Sequence, residues 1–202
     1  MKINIYQKLR NTMDKFSTMK PKENVFYADK NKNILFQNDN VKLIDFEDWT
    51  IVKERDLVVC IVYLIETNQF IIRHEYIPTF KYVDGQEYHV TLISGGIEKH
   101  ETPETALLRE LEEEAGIVIR PDFKLEPMKP LYISKGQANK YHPYLISLTE
   151  NDYHEVLAKG DGSEAEKLSK SVKVDVKYIN NLMVSDLITD YMLMKLKDFI
   201  NL

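Results

Sequence analysis

The sequence predicts an α/β chain of the α+β kind: a mixed β-sheet packed between α-helices, with a helix-and-strand extension at the N-terminus. Three observations predict it. Short apolar or alternating runs outnumber helical patterns along the 202 residues. One run, "LVVCIVYLI" at 57–65, is so uniformly apolar that it reads as a central strand buried on both faces. Two amphipathic helical patterns, at 103–115 and 185–200, each carry an apolar stripe able to cover one face of a sheet.

The elements follow in order. Residues 1–18 place Ile5, Leu9, Met13 and Phe16 about one helical turn apart, and "KPKEN" ends that pattern. Residues 25–53 divide into four short extended pieces, "VFYA", "NILFQ", "VKLIDF" and "WTIV". A hairpin follows, Leu57 to Ile65 and Phe70 to Tyr76, turning at "ETNQ". "YHVTLI" is a further strand that ends at Ser94. After the first helix come the strand candidates "IVIR", "LYIS" and "YHPYLISL", and then a polar loop, "AKGDGSEAEKLSKS". "VKVDVKYI" alternates at Val172, Val174 and Val176 as a half-buried strand should. The last helix starts with Ser185 or Asp186 as its N-cap. The expected division is a helix and strand segment over 1–48 and one domain over 49–202.

Composition narrows the function classes. With 44% hydrophobic and 29% charged residues the chain is an ordinary globular one. A formal charge of −5 gives no footprint for DNA, which asks for a clustered basic surface. Cys60 is the single cysteine and lies inside the apolar run, so it reads as packing, and no intrachain disulfide can form. The charged N-terminus has no secretory apolar segment, and the apolar run is too short to cross a bilayer. The expectation is a cytoplasmic protein without a membrane partner.

The chemistry concentrates in "GGIEKHETPETALLRELEEEAGI", residues 95–117. Thr102 and Pro103 start a helix and Gly116 stops it, with Leu107, Leu108, Leu111 and Ala115 as the apolar stripe. Glu110, Glu113 and Glu114 stand at i, i+3 and i+4 and share a face. They crowd the last turns, where the helix dipole disfavours acids. A hard divalent cation would compensate them, because Mg²⁺ takes carboxylate oxygens and shares its other positions with substrate phosphates. The alternative is a solvated acidic face.

These residues resemble the Nudix box: Gly95, Glu101, Arg109, Glu110, Leu111, Glu113, Glu114, Gly116 and Ile117 occupy its positions in order. At ordinary residue usage the seven non-aliphatic matches would coincide on the order of once in a million such chains. The resemblance implies a Nudix fold and hydrolysis of a nucleoside diphosphate linked to another moiety, with Mg²⁺ or Mn²⁺ as cofactor. It implies metal ligation by Glu110, Glu113, Glu114 and the Ser94 carbonyl, with Glu113 and Glu114 catalytic. Glu101 and Arg109 become a structural salt bridge.

Outside the box the chain resembles the ADP-ribose pyrophosphatase branch, loosely, over residues 45–200. That resemblance implies a nucleotide-sugar substrate, with ADP-ribose giving AMP and ribose 5-phosphate, and a homodimer built through the N-terminal segment. A loop acid before the last strand would serve in catalysis, Glu164 or Glu166, with Asp161 a weaker candidate. Arg73, Tyr76, Arg55 and Ser134 are the implied substrate contacts, and Trp49 is a further residue near the entry to the core.

Three positions depart from the branch: Tyr76 where an arginine is usual, Thr91 where a glutamate is usual, and Lys135 in place of a turn proline. The alternative substrates are therefore NADH, a dinucleotide or capped RNA. A Nudix-fold regulator without catalysis is the remaining alternative, although every box carboxylate is present.

Overall fold

The computed structural model describes residues 34–202. The helix expected over 1–18 and the extended piece "VFYA" lie outside the described residues. The chain first forms a small antiparallel sheet of β1 (Ile34–Gln37), β2 (Lys42–Phe46) and β3 (Trp49–Lys53), paired in the order β1-β2-β3. This sheet runs across residue 48, because β3 pairs along β2 from Phe46↔Trp49 to Lys42↔Lys53.

The main body is a six-stranded mixed sheet. Its spine is β4 (Leu57–Leu64), bordered by β9 (Tyr141–Leu148), which runs parallel to it along its whole length. The opposite edge of β4 is shared. Residues Val62–Leu64 pair with β5 (Gln69–Tyr76), and Leu57–Cys60 pair with β7 (Ile93–Gly96). The second half of β5 pairs instead with β6 (Tyr88–Thr91), while β11 (Lys170–Asp175) covers the other edge of β5. The run expected as one strand, "YHVTLI", is thus two. It changes partner at Leu92, entering the gap that opens where β4 and β5 part.

One face of the sheet carries α2 (Pro103–Ala115) over a core that includes Val58, Cys60, Val62, Ile71, Ile93, Leu107 and Leu111. The other face carries α4 (Leu187–Ile200) over Val59, Ile61, Phe70, Ile72, Leu92 and Met192. Period-2 alternation in β4 and β5 sends successive side chains to these two cores, which is why β4 reads as wholly apolar.

The remaining elements are α1 (Pro78–Asp84), the two-stranded pair β8 (Ile117–Ile119) and β10 (Tyr153–Glu155), and α3 (Glu164–Leu168). Four expectations change. "LYIS" is not a strand and contributes one isolated bridge, Leu131↔Tyr141. The polar loop contains α3. The last strand stops at Asp175, and Val176 opens a 3₁₀ turn that runs to Asn181. Leu108 is 39% exposed, and Ala106 takes its place in the stripe, fully buried.

Candidate active site

Helix α2 begins where its caps dictate. Thr102 accepts from the Thr105 amide, Thr105 Oγ1 accepts from the Thr102 amide at 2.9 Å, and Pro103 follows. It ends at Gly116, whose φ of 65° belongs to the left-handed region. A Cβ there would lie 2.2 Å from the Val156 carbonyl oxygen. The exposed carbonyls of the last turn are met by donors from three directions. Gly116 N–H donates to Glu112 O at 3.1 Å and Gly160 N–H to Glu113 O at 2.9 Å. Glu114 O accepts from Ser171 Oγ at 2.8 Å and from Arg73 Nη1 at 3.3 Å. The negative end of the helix is therefore answered by an arginine as well as by neutral donors.

A cleft of about 230 Å³ opens beside this helix. Ser94, Gly95 and Gly96 floor it, and six acids line it: Glu75, Glu110, Glu113, Glu114, Asp161 and Glu166. Arg109 is the one basic residue on its wall. Glu110 and Glu114 are each only 7% exposed. Burial pushes the Glu110 carboxyl up to about 7, against the opposing pull of Arg109. Burial also raises Glu114 well above the usual carboxylate range, with the like charges of Glu166 and Glu110 adding to it. Glu75 is raised as well, again chiefly by burial.

Two guanidinium groups hold this charge together. Arg109 Nε donates to Glu101 Oε1 at 2.8 Å, and Nη2 donates to Glu101 Oε2 at 3.0 Å and to the Gly96 carbonyl at 3.1 Å. Its Nη1 donates to Glu110 Oε1 at 2.6 Å and Glu113 Oε2 at 3.0 Å. Glu101, first among these partners, raises the Arg109 pKa, and Arg109 lowers that of Glu101. On the other side Arg73 faces Glu114 and Glu166. The Ser94 amide donates to Glu114 Oε2 at 3.0 Å. Among the described residues no three acid, histidine or cysteine side chains stand as a metal-ligand set; Glu110, Glu113, Glu114 and Glu166 pair with the two arginines.

Gly95 matters for a different reason. A Cβ on it would fall 1.8 Å from Glu110 Oε1, so only glycine lets that carboxylate cross the floor of the cleft.

Several residues stand elsewhere than expected. Arg73, an implied substrate contact, is 1% exposed, and its guanidinium pairs with Glu114 and Glu166. Tyr76 follows Glu75 and lies on the face of β5 opposite to Arg73 and Glu75. It packs edge-on against Tyr88 at 5.9 Å and does not line the cleft. Ser134 is exposed, accepts from the Gly136 amide at 3.2 Å, and is not part of the cleft lining. Glu164 turns to solvent and pairs with Lys167, while Glu166 enters the cleft. Residues two apart on a helix point about 200° apart, so one element cannot present both. Arg55 is exposed beside Gly96 at the rim, and Trp49 is 54% exposed on β3.

Glu75 is an acid of the cleft that no motif in the sequence marks. Alternation places Ile71, Arg73 and Glu75 on the α2 face, and Thr91 Oγ1 donates to Glu75 Oε2 at 2.6 Å. The threonine that departs from the branch pattern thus holds a carboxylate contributed by the neighbouring strand.

Residues 54–176 match the family model of the NUDIX domain, which is well over half of the chain. The chain belongs to the Nudix family. It is a Nudix pyrophosphohydrolase, and Nudix hydrolases generally use divalent metal ions. Among solved structures, one described as "Crystal structure of ADP compounds hydrolase" is similar in fold, with a TM-score of 0.60. The two are 16% identical, and the match covers 83% of this chain and 90% of that one. No curated protein matches the sequence. No helix among the described residues is long and apolar enough to cross a membrane, which says nothing about β-barrels.

Proposed function

We propose that this Nudix protein cleaves the diphosphate of a nucleoside diphosphate-sugar, with ADP-ribose, giving AMP and ribose 5-phosphate, as the foremost substrate. One observation carries the reading: six acids converge on a cleft floored by Ser94-Gly95-Gly96. An anionic diphosphate cannot approach such a surface unless cations intervene. The structural neighbour, a hydrolase of ADP compounds, supports the choice of nucleotide.

The residues fit Mg²⁺ or Mn²⁺. The donor set is all oxygen, as a hard cation requires, and Gly95 leaves open the space that the Glu110 carboxylate uses. Glu110, Glu113, Glu114 and the Ser94 carbonyl would hold the ion. When bound, it neutralises the diphosphate and makes water a better nucleophile at neutral pH.

The chain's own groups do the rest. Glu166 stands across the cleft from α2 and is placed to accept a proton from an attacking water. Glu75, fixed by Thr91, offers a further acceptor that orients water or a sugar hydroxyl. Arg109 keeps the loop that carries Glu101 folded against α2 and screens Glu110 from Glu113. Arg55, at the rim beside Gly96, is the exposed cation best placed to meet an outer phosphate. The protein acts in the cytoplasm as a homodimer to which residues 1–48 contribute; Leu35 and Phe36, 62% and 51% exposed, support such a role.

A substrate panel tests the reading. The protein is incubated with Mg²⁺ and ADP-ribose, ADP-glucose, UDP-glucose, NADH, diadenosine polyphosphates or capped RNA, and nucleoside monophosphate release is followed. Fastest turnover of ADP-ribose is the expected result. Preference for a dinucleotide or an RNA cap would reassign the substrate, and no turnover with intact metal binding would make the chain a binding protein.

A further inference from the structure

We propose that Arg73 is a positioning residue whose buried guanidinium latches the Glu166 loop onto the carboxyl end of α2, joining the loop acid and the helix acids into one constellation. The hydrolase reading above is needed for what Glu166 does, but not for what holds it.

The two partners differ in rigidity. Arg73 sits in mid-strand on β5, paired with Ser171 of β11 on one side and Thr91 of β6 on the other. Glu166 sits on a helix of five residues, approached through Gly160 and Gly162, whose φ values of 61° and 88° are left-handed. A helix that short has no stability of its own. Its backbone is tied at both ends, by the Gly160 amide on Glu113 O and by Ser169 Oγ, which accepts from the Tyr76 amide. The Glu166 carboxylate itself is held by Arg73 Nη2, at 3.1 Å to Oε1 and 3.2 Å to Oε2. The same guanidinium gives Nη1 to Glu114 O, and its Nε faces Glu114 Oε1 at 3.3 Å.

This arrangement closes the loop by itself. Swinging Glu166 away would leave Nη2 of a guanidinium that is 1% exposed without its partner, and an unpaired buried charge is strongly disfavoured. A lysine cannot replace the latch, since one ammonium lacks the planar fork that reaches the helix end and the loop acid together.

The test combines hydrogen exchange with a double-mutant cycle on the full chain. Arg73→Lys and Glu166→Gln, measured separately, should each speed amide exchange over residues 163–168 by about tenfold or more, with residues 105–112 of α2 unchanged. Glu166→Gln leaves the buried strand untouched and keeps the test valid if Arg73→Lys folds poorly. With ADP-ribose and Mg²⁺, each variant should lower kcat about a hundredfold, with little change in KM, and the double variant should be no slower than the slower single one. Unchanged exchange over 163–168 in Glu166→Gln, or kcat losses that multiply in the double variant, would overturn the latch. Faster exchange with full turnover in Glu166→Gln would keep the latch and remove only the proton-accepting role of Glu166.

Discussion

Glu110 and Gly95 form a pair in which the missing side chain of one makes room for the carboxylate of the other, a proposed metal ligand. A methyl group at 95 would meet the Glu110 carboxylate at 1.8 Å, and the flexible end of Glu110 is what must give way. Gly95→Ala should therefore fold normally, with a melting temperature close to wild type, yet bind Mn²⁺ several-fold more weakly by calorimetry. Glu114→Gln keeps shape and removes the charge of a proposed ligand. It should cost more activity than the roughly 10–100-fold typical of a residue outside the ligand set.

The buried acids also predict a pH dependence. Glu110 ionises near 7 in the fold, against an ordinary value of 4.5, so the stability it contributes is complete below about 4.5 and is lost as pH rises through 7. Glu114 shifts in the same direction. Metal-free protein should melt lower at pH 8 than at pH 6. Mg²⁺, which needs ionised carboxylates, should raise the melting temperature more at pH 8. Differential scanning fluorimetry at the two pH values checks both signs.

At the scale of elements, what was legible depended on how local the cause was. Helix α2 could be read to the residue because Thr102, Pro103 and Gly116 are its own caps and stop. The acidic triad could be read because i, i+3 and i+4 fix a face. Arg73 and Glu75 were harder. Their alternation is plain in the sequence, but which face of β5 meets α2 depends on pairings with residues 12 to 106 positions distant, from Tyr76↔Tyr88 to Gln69↔Asp175. "LYIS" has strand composition but a single bridge, at Leu131, whereas β10 pairs with β8 from Tyr153↔Ile119 to Glu155↔Ile117, and the Val156 N–H bond to Gly116 O extends that pairing. That bond makes Gly116 a joint between two elements. Gly116→Ala, forced to φ 65° and against the Val156 carbonyl, should lose about 1–3 kcal/mol or more in urea unfolding.

At the scale of the molecule, the site exists because the sheet splits. β4 and β5 pair for only three residues, β6–β7 fills the gap, and Gly95 and Gly96 arrive at the carboxyl end of α2 as a result. The mixed sheet between helices was legible from the apolar run and the two amphipathic patterns, whereas the split was not, since nothing in "YHVTLI" marks the change of partner at Leu92. The small sheet of β1–β3 leaves Leu35, Phe36 and Trp49 more than half exposed. Replacing Phe36 and Trp49 by serine should shift the proposed homodimer toward monomer in sedimentation velocity while leaving the far-ultraviolet spectrum unchanged.

The central claim is that the acids of α2 grip a divalent ion on which breakage of the phosphoanhydride depends. Calorimetric titration of Mn²⁺ at pH 8, into wild type and into a Glu110→Gln/Glu114→Gln variant with matched folding, tests it most directly. The account predicts saturable binding to wild type that disappears in the variant. Equal binding to both, or no binding to wild type even with ADP-ribose present, would contradict it.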